Sequence, residues 1–504
     1  MAALHYLVAS VNVRSALLCL IVFLILTFIV HRHRRRIKNL PPGPRSWPVF
    51  GCLPELVQVK LPFHELFCSL AQKYGPVCYL SAPFGQAVVI SGYDAVHESL
   101  TREEFNWKSP GYKEQLSNKM FSAKGILLAS GDPWKEHRKF SLTVLRGFGV
   151  GKRSFEDQIA SESEFLMHEI KASNGKAFDP SSFFYNAVSN VICSVVFGRR
   201  FEYNDLEFTT LLHLLEDAVP HLPTELFLFI APFLSKIPFF PKGGLPSYMQ
   251  LRLKIKDVVN LHRDTYDEEN MRDFIDVYLK DLKMKTEQGV DTYLCDDELV
   301  AVIHNLFFAG TETTSITLRW SLLYMLKYPY VQKRVQEEID SVVGRDRLPK
   351  LSDKPNLPYT EAVIHEIQRF ASIAAITGLR YNRSEVEFRG YTIPKGTHVI
   401  SNLYSVTRDP SVWVEPDSFQ PERFLDDDKQ FKKNPKQMVF GAGKRVCLGK
   451  QLAVMELFIF YTHLMHRFSF HKPDGMESVD IHPKARGVLT PYPYNICAVV
   501  RECM

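Results

Sequence analysis

The sequence predicts a mainly α-helical protein with a small β-rich part, preceded by a separate apolar segment at the amino terminus. Three observations predict it. Most of the 504 residues carry apolar side chains at helical spacing. Two short stretches, Val77 to Leu80 and Ala87 to Ile90, read as strands about a turn at Gly85-Gln86. Ala16 to Val30 is an apolar run with Thr27 as its one weak exception. The 46% apolar and 12% aromatic content is that of an ordinary globular core.

Charge is unevenly placed. Six of the 61 Lys and Arg lie in residues 1–38 without an acid, so the remainder, 55 against 56 Asp and Glu, is nearly neutral. The electrostatic footprint of a nucleic-acid partner is missing. Nine cysteines, scattered and without a CxxC pair, do not form a disulfide framework, which points to a reducing compartment. The apolar run itself rises about 22 Å as a helix, less than the roughly 30 Å of hydrocarbon, so flanking residues must extend it. Arg32, Arg34, Arg35, Arg36 and Lys38 follow it where a cleavable signal would need small residues, and they put that side in the cytoplasm. The expectation is an uncleaved anchor. Pro41-Pro42-Gly43-Pro44 then forms a stiff elbow, because proline fixes φ and offers no N–H.

Asp132-Pro133-Trp134 is expected to open a helix with Asp132 as its cap, placing Trp134 and Arg138 on one face. An indole N–H beside a guanidinium suits a carboxylate, and an amphipathic surface helix is the alternative. Residues 226–241 are aromatic but interrupted by Pro232 and Pro238, which argues against a second span and leaves core packing or a monotopic membrane contact.

Asp296 to Tyr328 reads as one long helix with an acidic start and Pro329 at its end. Midway stands Ala309-Gly310-Thr311-Glu312-Thr313-Thr314, where glycine and three threonines are poor helix formers. A local rule broken inside a core helix marks function, or a kink with hydroxyls bonded one turn back. Glu366 and Arg369 lie one turn apart in a helix. An exposed pair of that kind is worth only about 0.2–0.5 kcal/mol.

The stretch Phe440 to Gly449 carries the strongest signal. Its one soft metal ligand is Cys447, just before a helix-forming run from Lys450 to His466, where unpaired N–H groups favour a thiolate. A lone cysteine is ordinarily a small core hydrophobe. No Cys or His accompanies it for zinc, and Gly443-Lys444 fails as a phosphate loop because Met438 and Arg445 stand at the wrong places. Iron held by one thiolate, with a porphyrin supplying its other ligands, remains.

This stretch resembles the cysteine loop of the cytochrome P-450 superfamily, matching Phe440, Gly443, Arg445, Cys447 and Gly449 at that family's spacing. The likeness extends from about Pro41 to the end. Trp134 to Glu156 is similar to the drug- and lipid-oxidising microsomal branch, 309–314 matches the distal-helix motif, and Glu366 and Arg369 match the family's helix pair, with Arg423 as third member. The resemblance implies a P-450 fold in residues 39–504, a helical haem domain with a small β-rich subdomain, behind an anchor and basic stop-transfer segment in 1–38. It implies haem b with Cys447 as axial thiolate, and Trp134, Arg138, Arg380 and Arg445 on the propionates. In the insert-rich stretch Asn106 to Lys124, the resemblance leaves open whether Lys108 replaces a propionate-binding arginine. Ala309 and Gly310 would leave room for dioxygen, and Thr313 with Glu312 would relay protons to it. Glu366, Arg369 and Arg423 would fix the segment below the haem. Phe308, Ile376, Thr377 and Leu489 fall at substrate-lining family positions.

The implied reaction inserts one oxygen atom from O2 into a lipophilic small molecule, a fatty acid, steroid or xenobiotic. The chain has no flavin or nicotinamide fingerprint. By resemblance its electrons come from NADPH-cytochrome P-450 reductase in the endoplasmic reticulum membrane, with cytochrome b5 as an optional further donor. Lys135, Lys139, Lys432, Lys433, Lys436, Lys444 and Lys450 would form the docking face. Two rivals are a haem-thiolate isomerase or dehydratase, which would tolerate loss of the acid-threonine pair present here, and a haem sensor, which needs no open distal groove.

Overall fold

The computed structural model describes residues 39–47, 50–59, 61–82, 85–108, 125–218, 245–378, 380–485 and 487–501, together with 17, 18, 21 and 25. The four early residues are helical and exposed. The rest of the expected anchor and all of 226–241 lie outside the described residues. Among those described, no helix is long and apolar enough to cross a membrane.

The strands β1 (Val77–Ala82) and β2 (Gly85–Ile90) pair antiparallel up to Ala82 opposite Gly85, so Gly85-Gln86 belongs to the strand and not to the expected turn. Two edge pieces, β3 (Trp107–Lys108) and β4 (Arg380–Tyr381), a hairpin of β5 (Val386–Phe388) and β6 (Tyr391–Ile393), and β7 (His398–Ser401) follow. The five-stranded sheet runs β1-β2-β7-β4-β3, with β2 and β7 parallel. Its register sets Lys108 directly opposite Arg380. The proline elbow docks here: the Tyr79 amide donates to the Pro42 carbonyl at 2.8 Å. A Cβ on Gly43 would stand 1.9 Å from the Tyr79 oxygen.

Seven helices carry the site: α1 (Gly131–Gly147), α2 (Arg153–Ala172), α3 (Ser181–Val196), α4 (Leu245–Asp264), α5 (Asp296–Lys327), α6 (Pro358–Ala371) and α7 (Lys450–Arg467). Helix α5, 32 residues long, packs against α3, α4, α6 and α7 and is buried for most of its length. Asp296, Asp297 and Glu298 fill its first turn, complementing the positive end of the helix dipole. It stops at Tyr328, before the proline that opens the next helix. Phe307, Trp320 and Tyr324 meet Phe458 and Tyr461 of α7 in one large core, each such ring being worth about 1.5–3 kcal/mol when fully buried.

Helix α1 corrects one expectation. Ser130 is its N-cap and Gly131, at φ +72°, its first residue, so Asp132 sits exposed in the first turn and pairs with Lys135 at 2.8 Å.

Glu366 and Arg369 are wholly buried, not the exposed pair that their spacing alone allows. Arg369 donates to both Glu366 oxygens at 2.7 and 2.8 Å, and to the carbonyls of Thr407, Pro416 and Ser418. Arg423 donates to Glu366 Oε1 at 3.1 Å, as does the Gln420 amide at 2.8 Å. Breaking such a network by removing one partner leaves a buried charge. Arg369→Met should therefore lower stability by about 3–5 kcal/mol, read as an earlier urea midpoint. A loss within about 1 kcal/mol, the range of a surface pair, would contradict this burial.

Candidate active site

The loop from Phe440 to Gly449 is shaped by its backbone. The Cys447 amide donates to the Phe440 carbonyl at 3.0 Å, closing the loop, and Gly443 to Arg445 form a single 3-10 turn. Gly443 sits at φ +70°, and a Cβ there would fall 2.2 Å from the Leu100 carbonyl oxygen, so only glycine fits. Helix α7 starts three residues after Cys447, with Gly449 as its N-cap. Crowding by protein raises the Cys447 thiol above its ordinary value, while the Gly449 backbone, Arg138 and Lys450 pull it down. Cys447 as a residue is nevertheless exposed, so the crowding of its thiol and the expected help of the helix N-terminus oppose each other without the residue being buried. Yet every polar neighbour named favours the anion, and a coordinated metal deprotonates a thiol outright.

Around this loop gather cations. Arg138 of α1 donates to the Val446 carbonyl at 2.6 Å. Arg445 lies 3.8 Å over the buried Trp134 ring and donates to the Ala129 carbonyl at 2.8 Å. Arg380, on β4 and 3% exposed, donates to Asn106 Oδ1 at 3.2 Å and leaves its Nε buried without a partner. Lys108 donates to the Gly378 carbonyl at 3.1 Å. Burial first, then mutual repulsion, presses Arg445 down to about 9 and Lys108 to about 7, and burial alone takes Arg380 to about 10. Like charges that repel one another, with Arg380 buried and Arg445 and Lys108 half-buried, call for anions between them, and two carboxylates of a haem would meet that need.

The opposite wall comes from α5. Residues 308–310 and 313 are half-exposed in a stretch otherwise buried from Leu299 to Leu318. Thr313 donates to the Ala309 carbonyl at 2.8 Å, Thr317 to Thr313, and Ser315 to Thr311, so these hydroxyls are bonded one turn back inside an unbroken helix. Gly310 has a different reason from room over a cofactor. A Cβ there would lie 3.2 Å from Ile192 Cγ1, so its lack of a side chain lets α3 approach α5. A partly open cavity lies between the two walls, with Thr313, Thr314 and Thr317 on one side and Val439, Phe440, Ala453 and Leu457 on the other. The donor set, this apolar space and the unpaired Arg380 Nε fit a haem.

Of the substrate positions, Phe308 borders the half-exposed stretch. The segment after α6 lines the cavity through Ser372, Ile373 and Ala374, while Ile376 bridges Asn402 and Thr377 bonds the Ser401 carbonyl. Leu489 is fully buried, its carbonyl accepting from Trp320 Nε1 at 3.0 Å. Another metal site is not at hand: among the described residues His262, Asp273 and Asp276 cluster, but Arg272 already grips Asp276 at 2.6 and 2.8 Å.

Among the buried polar residues that escaped the sequence reading, two lie on the helices of the site. Glu456 of α7 accepts a hydrogen bond from Thr314 at 3.1 Å, and its second oxygen is buried without a partner. The other is His304. Each was visible as a polar residue in an otherwise apolar helical run, His304 with Asn305 beside it.

Residues 41–498 match the family described as Cytochrome P450. The chain belongs to this family of haem-thiolate monooxygenases, whose cofactor is haem held by a cysteine thiolate. Among its relatives is Cytochrome P450 2J3 of Rattus norvegicus, 40% identical over 494 residues that cover 97% of each chain. Cytochrome P450 2J2 of Homo sapiens is 40% identical over 97% of each, and Cytochrome P450 2F3 of Capra hircus is 38% identical over 97% of this chain and 100% of its own.

Burial pushes the Glu456 carboxyl from its ordinary 4.5 up to about 8. Folding thus favours the neutral acid, so stability present below about pH 4.5 is lost as the pH rises through 8. Glu456→Gln, which cannot ionise, should match the parent near pH 5 and exceed it by about 2–4 kcal/mol at pH 8, seen as a higher Tm. A difference independent of pH would contradict the burial of an ionisable acid.

Proposed function

We propose that Cys447 is the axial ligand and that the chain inserts one oxygen atom of O2 into a lipophilic small molecule, with electrons from an NADPH-dependent flavoprotein reductase. The observation that carries this reading is the cavity with Phe440 of the cysteine loop on one wall and Thr313 of α5 on the other. The haem supplies the redox chemistry that splits dioxygen, one atom entering the substrate and the other leaving as water.

The chain's residues have separate tasks. Arg138 and Lys450 favour sulfur as an anion. Arg138, Arg380 and Arg445, with Trp134 beneath Arg445, neutralise the two propionates and so orient the ring. Thr313, which at rest donates to the Ala309 carbonyl, turns into the half-exposed groove and offers its proton there. Glu312, its buried neighbour in sequence, replaces that proton. Phe308 and Ala309 wall the groove and exclude water. Fatty acids, steroids and foreign lipophiles all suit such a site.

Residues 1–38 would anchor the catalytic domain, 39–504, to the cytosolic face of the endoplasmic reticulum, with the amino terminus in the lumen. The family match starting at residue 41 and the docked proline elbow support that division. Lys432, Lys433 and Lys436 are exposed beside the cysteine loop, whereas Lys135 and Lys444 are engaged with Asp132 and Glu103. Lys436 also lies over the Tyr93 ring, so Lys432 and Lys433 are the more available part of a basic docking face for the reductase, and cytochrome b5 would use the same face.

The reading is tested by NADPH-dependent turnover with reductase in reconstituted membranes, screened over lipophilic compounds. Thr313→Ala should lower product formed per NADPH about tenfold or more and release peroxide instead. Unchanged coupling would remove Thr313 from proton delivery. Charge reversal at Lys432 and Lys433 should slow reductase-driven turnover by about five- to tenfold and spare a peroxide-driven reaction. Equal loss in both assays would defeat the docking face.

A further inference from the structure

Helix α6 grips the chain that follows it in separate places. Glu366 and Arg369 bond to residues within 407–423. His365, half-buried, reaches Gln437 instead, just before Phe440, whose carbonyl closes the cysteine loop. His365 Nδ1 lies 2.6 Å from Gln437 Oε1, and Gln437 Nε2 donates to the His365 carbonyl at 2.8 Å. On its other side the ring sets Nε2 3.2 Å from Glu361 Oε1, which also meets Lys354 of the 3-10 turn Leu351–Asn356 at 3.0 Å. Phe424 and Phe431 pack on the ring, with centroids 5.5 and 4.8 Å away, and bring no charge.

These contacts fix where the protons are. A carbonyl only accepts, so the Gln437 amide must turn its nitrogen to the His365 carbonyl and its oxygen to Nδ1. Nδ1 is therefore a donor. At Nε2 stands a carboxylate, which also accepts. A neutral imidazole has one N–H, so either tautomer would set a ring lone pair against an oxygen. Only the imidazolium satisfies both sides. Glu361 agrees with a cationic neighbour: burial pushes its carboxyl up, yet the contacts with His365 and Lys354 outweigh burial and hold it below the ordinary carboxylate value.

We propose that His365 is a positioning residue for the cysteine loop: as an imidazolium it bridges Glu361 to Gln437, and so holds the chain that leads into Phe440 and Cys447. The proposal rests on reading that loop as the one that binds the cofactor, and concerns how the loop is held. Because the Cys447 amide donates to the Phe440 carbonyl, a shift at Gln437 is passed on to the sulfur. Loss of the second proton sets acceptor against acceptor on one side of the ring, so the hold weakens as the pH rises.

The test digests the full-length haem-loaded protein briefly with trypsin. The rate of the cut after Lys436, the exposed residue beside Gln437, is divided by the rate after Lys176, exposed beside a turn. Local opening at Gln437 governs the first cut and not the second. His365→Phe keeps an aromatic ring without its nitrogens, and should raise the ratio about tenfold, the factor for one charge-assisted hydrogen bond. Gln437→Leu, on a half-buried segment that tolerates change, should do the same, and the two together no more than either alone. His365→Asn, whose amide nitrogen replaces Nδ1, should stay within about twofold of the parent. In the parent the ratio should climb from about pH 6 to about pH 8.5, and in His365→Asn it should stay level. An unchanged ratio in Gln437→Leu, an equal rise in His365→Asn and His365→Phe, or a parent ratio flat with pH overturns the proposal. So does a rise of both cuts together with an earlier urea midpoint, which marks a general loss of stability. Failure of the Cys447 assignment is seen separately, in the absorption of the parent under carbon monoxide, on which none of these rates depends.

Discussion

A sulfur atom pressed into a crowded loop, with cations as its polar neighbours, is the constraint on which the other parts of this structure depend. The protein around Cys447 works against ionisation, and the Gly449 backbone, Arg138 and Lys450 work for it. Such a site is poised: neutral on its own, anionic once a metal takes the proton's place. The loop can hold this position because Gly443 passes under the Leu100 carbonyl where no side chain could, and because the Glu366–Arg369–Arg423 network fixes the segment that precedes it.

The same logic extends to the cations. Lys108 and Arg380 come from two paired strands at a sheet edge and Arg445 from the cysteine loop, all far apart in sequence, and burial costs each of them some of its proton affinity. A fold that needed only stability would have paired them with acids. Leaving the Arg380 Nε without a partner makes sense if the anions belong to a cofactor. Across the cavity, α5 keeps its hydroxyls bonded to its own carbonyls, so the helix is continuous through its threonine-rich stretch. Glu456, the acid of α7, links that helix to α5 through Thr314.

Much of this was legible in the residues. The ends of α5 at Asp296 and Lys327, the start of α7 at Lys450 and the strands near 77 and 87 followed from caps, prolines and periodicity. The cysteine loop followed from the scarcity of other ligands around Cys447. What was hidden depended on neighbours distant in sequence. Spacing shows that Glu366 and Arg369 are one turn apart, but not that three carbonyls close over the arginine. Gly310 looked like a space for a ligand until Ile192 of α3 was placed against it. Ser130 displaced Asp132 as a cap because Gly131 takes a left-handed turn into the helix. Helix dipole arguments also favoured a Cys447 thiolate, and the crowding that opposes it comes from neighbours invisible in one dimension.

The most direct measurement of the central claim is the absorption spectrum of the purified, reduced protein under carbon monoxide, taken for the parent and for Cys447→Ser. Sulfur bound to iron as an anion gives a strongly red-shifted Soret band in the parent and none in the serine variant. A parent without that band, or a variant that keeps it, would contradict the assignment of Cys447.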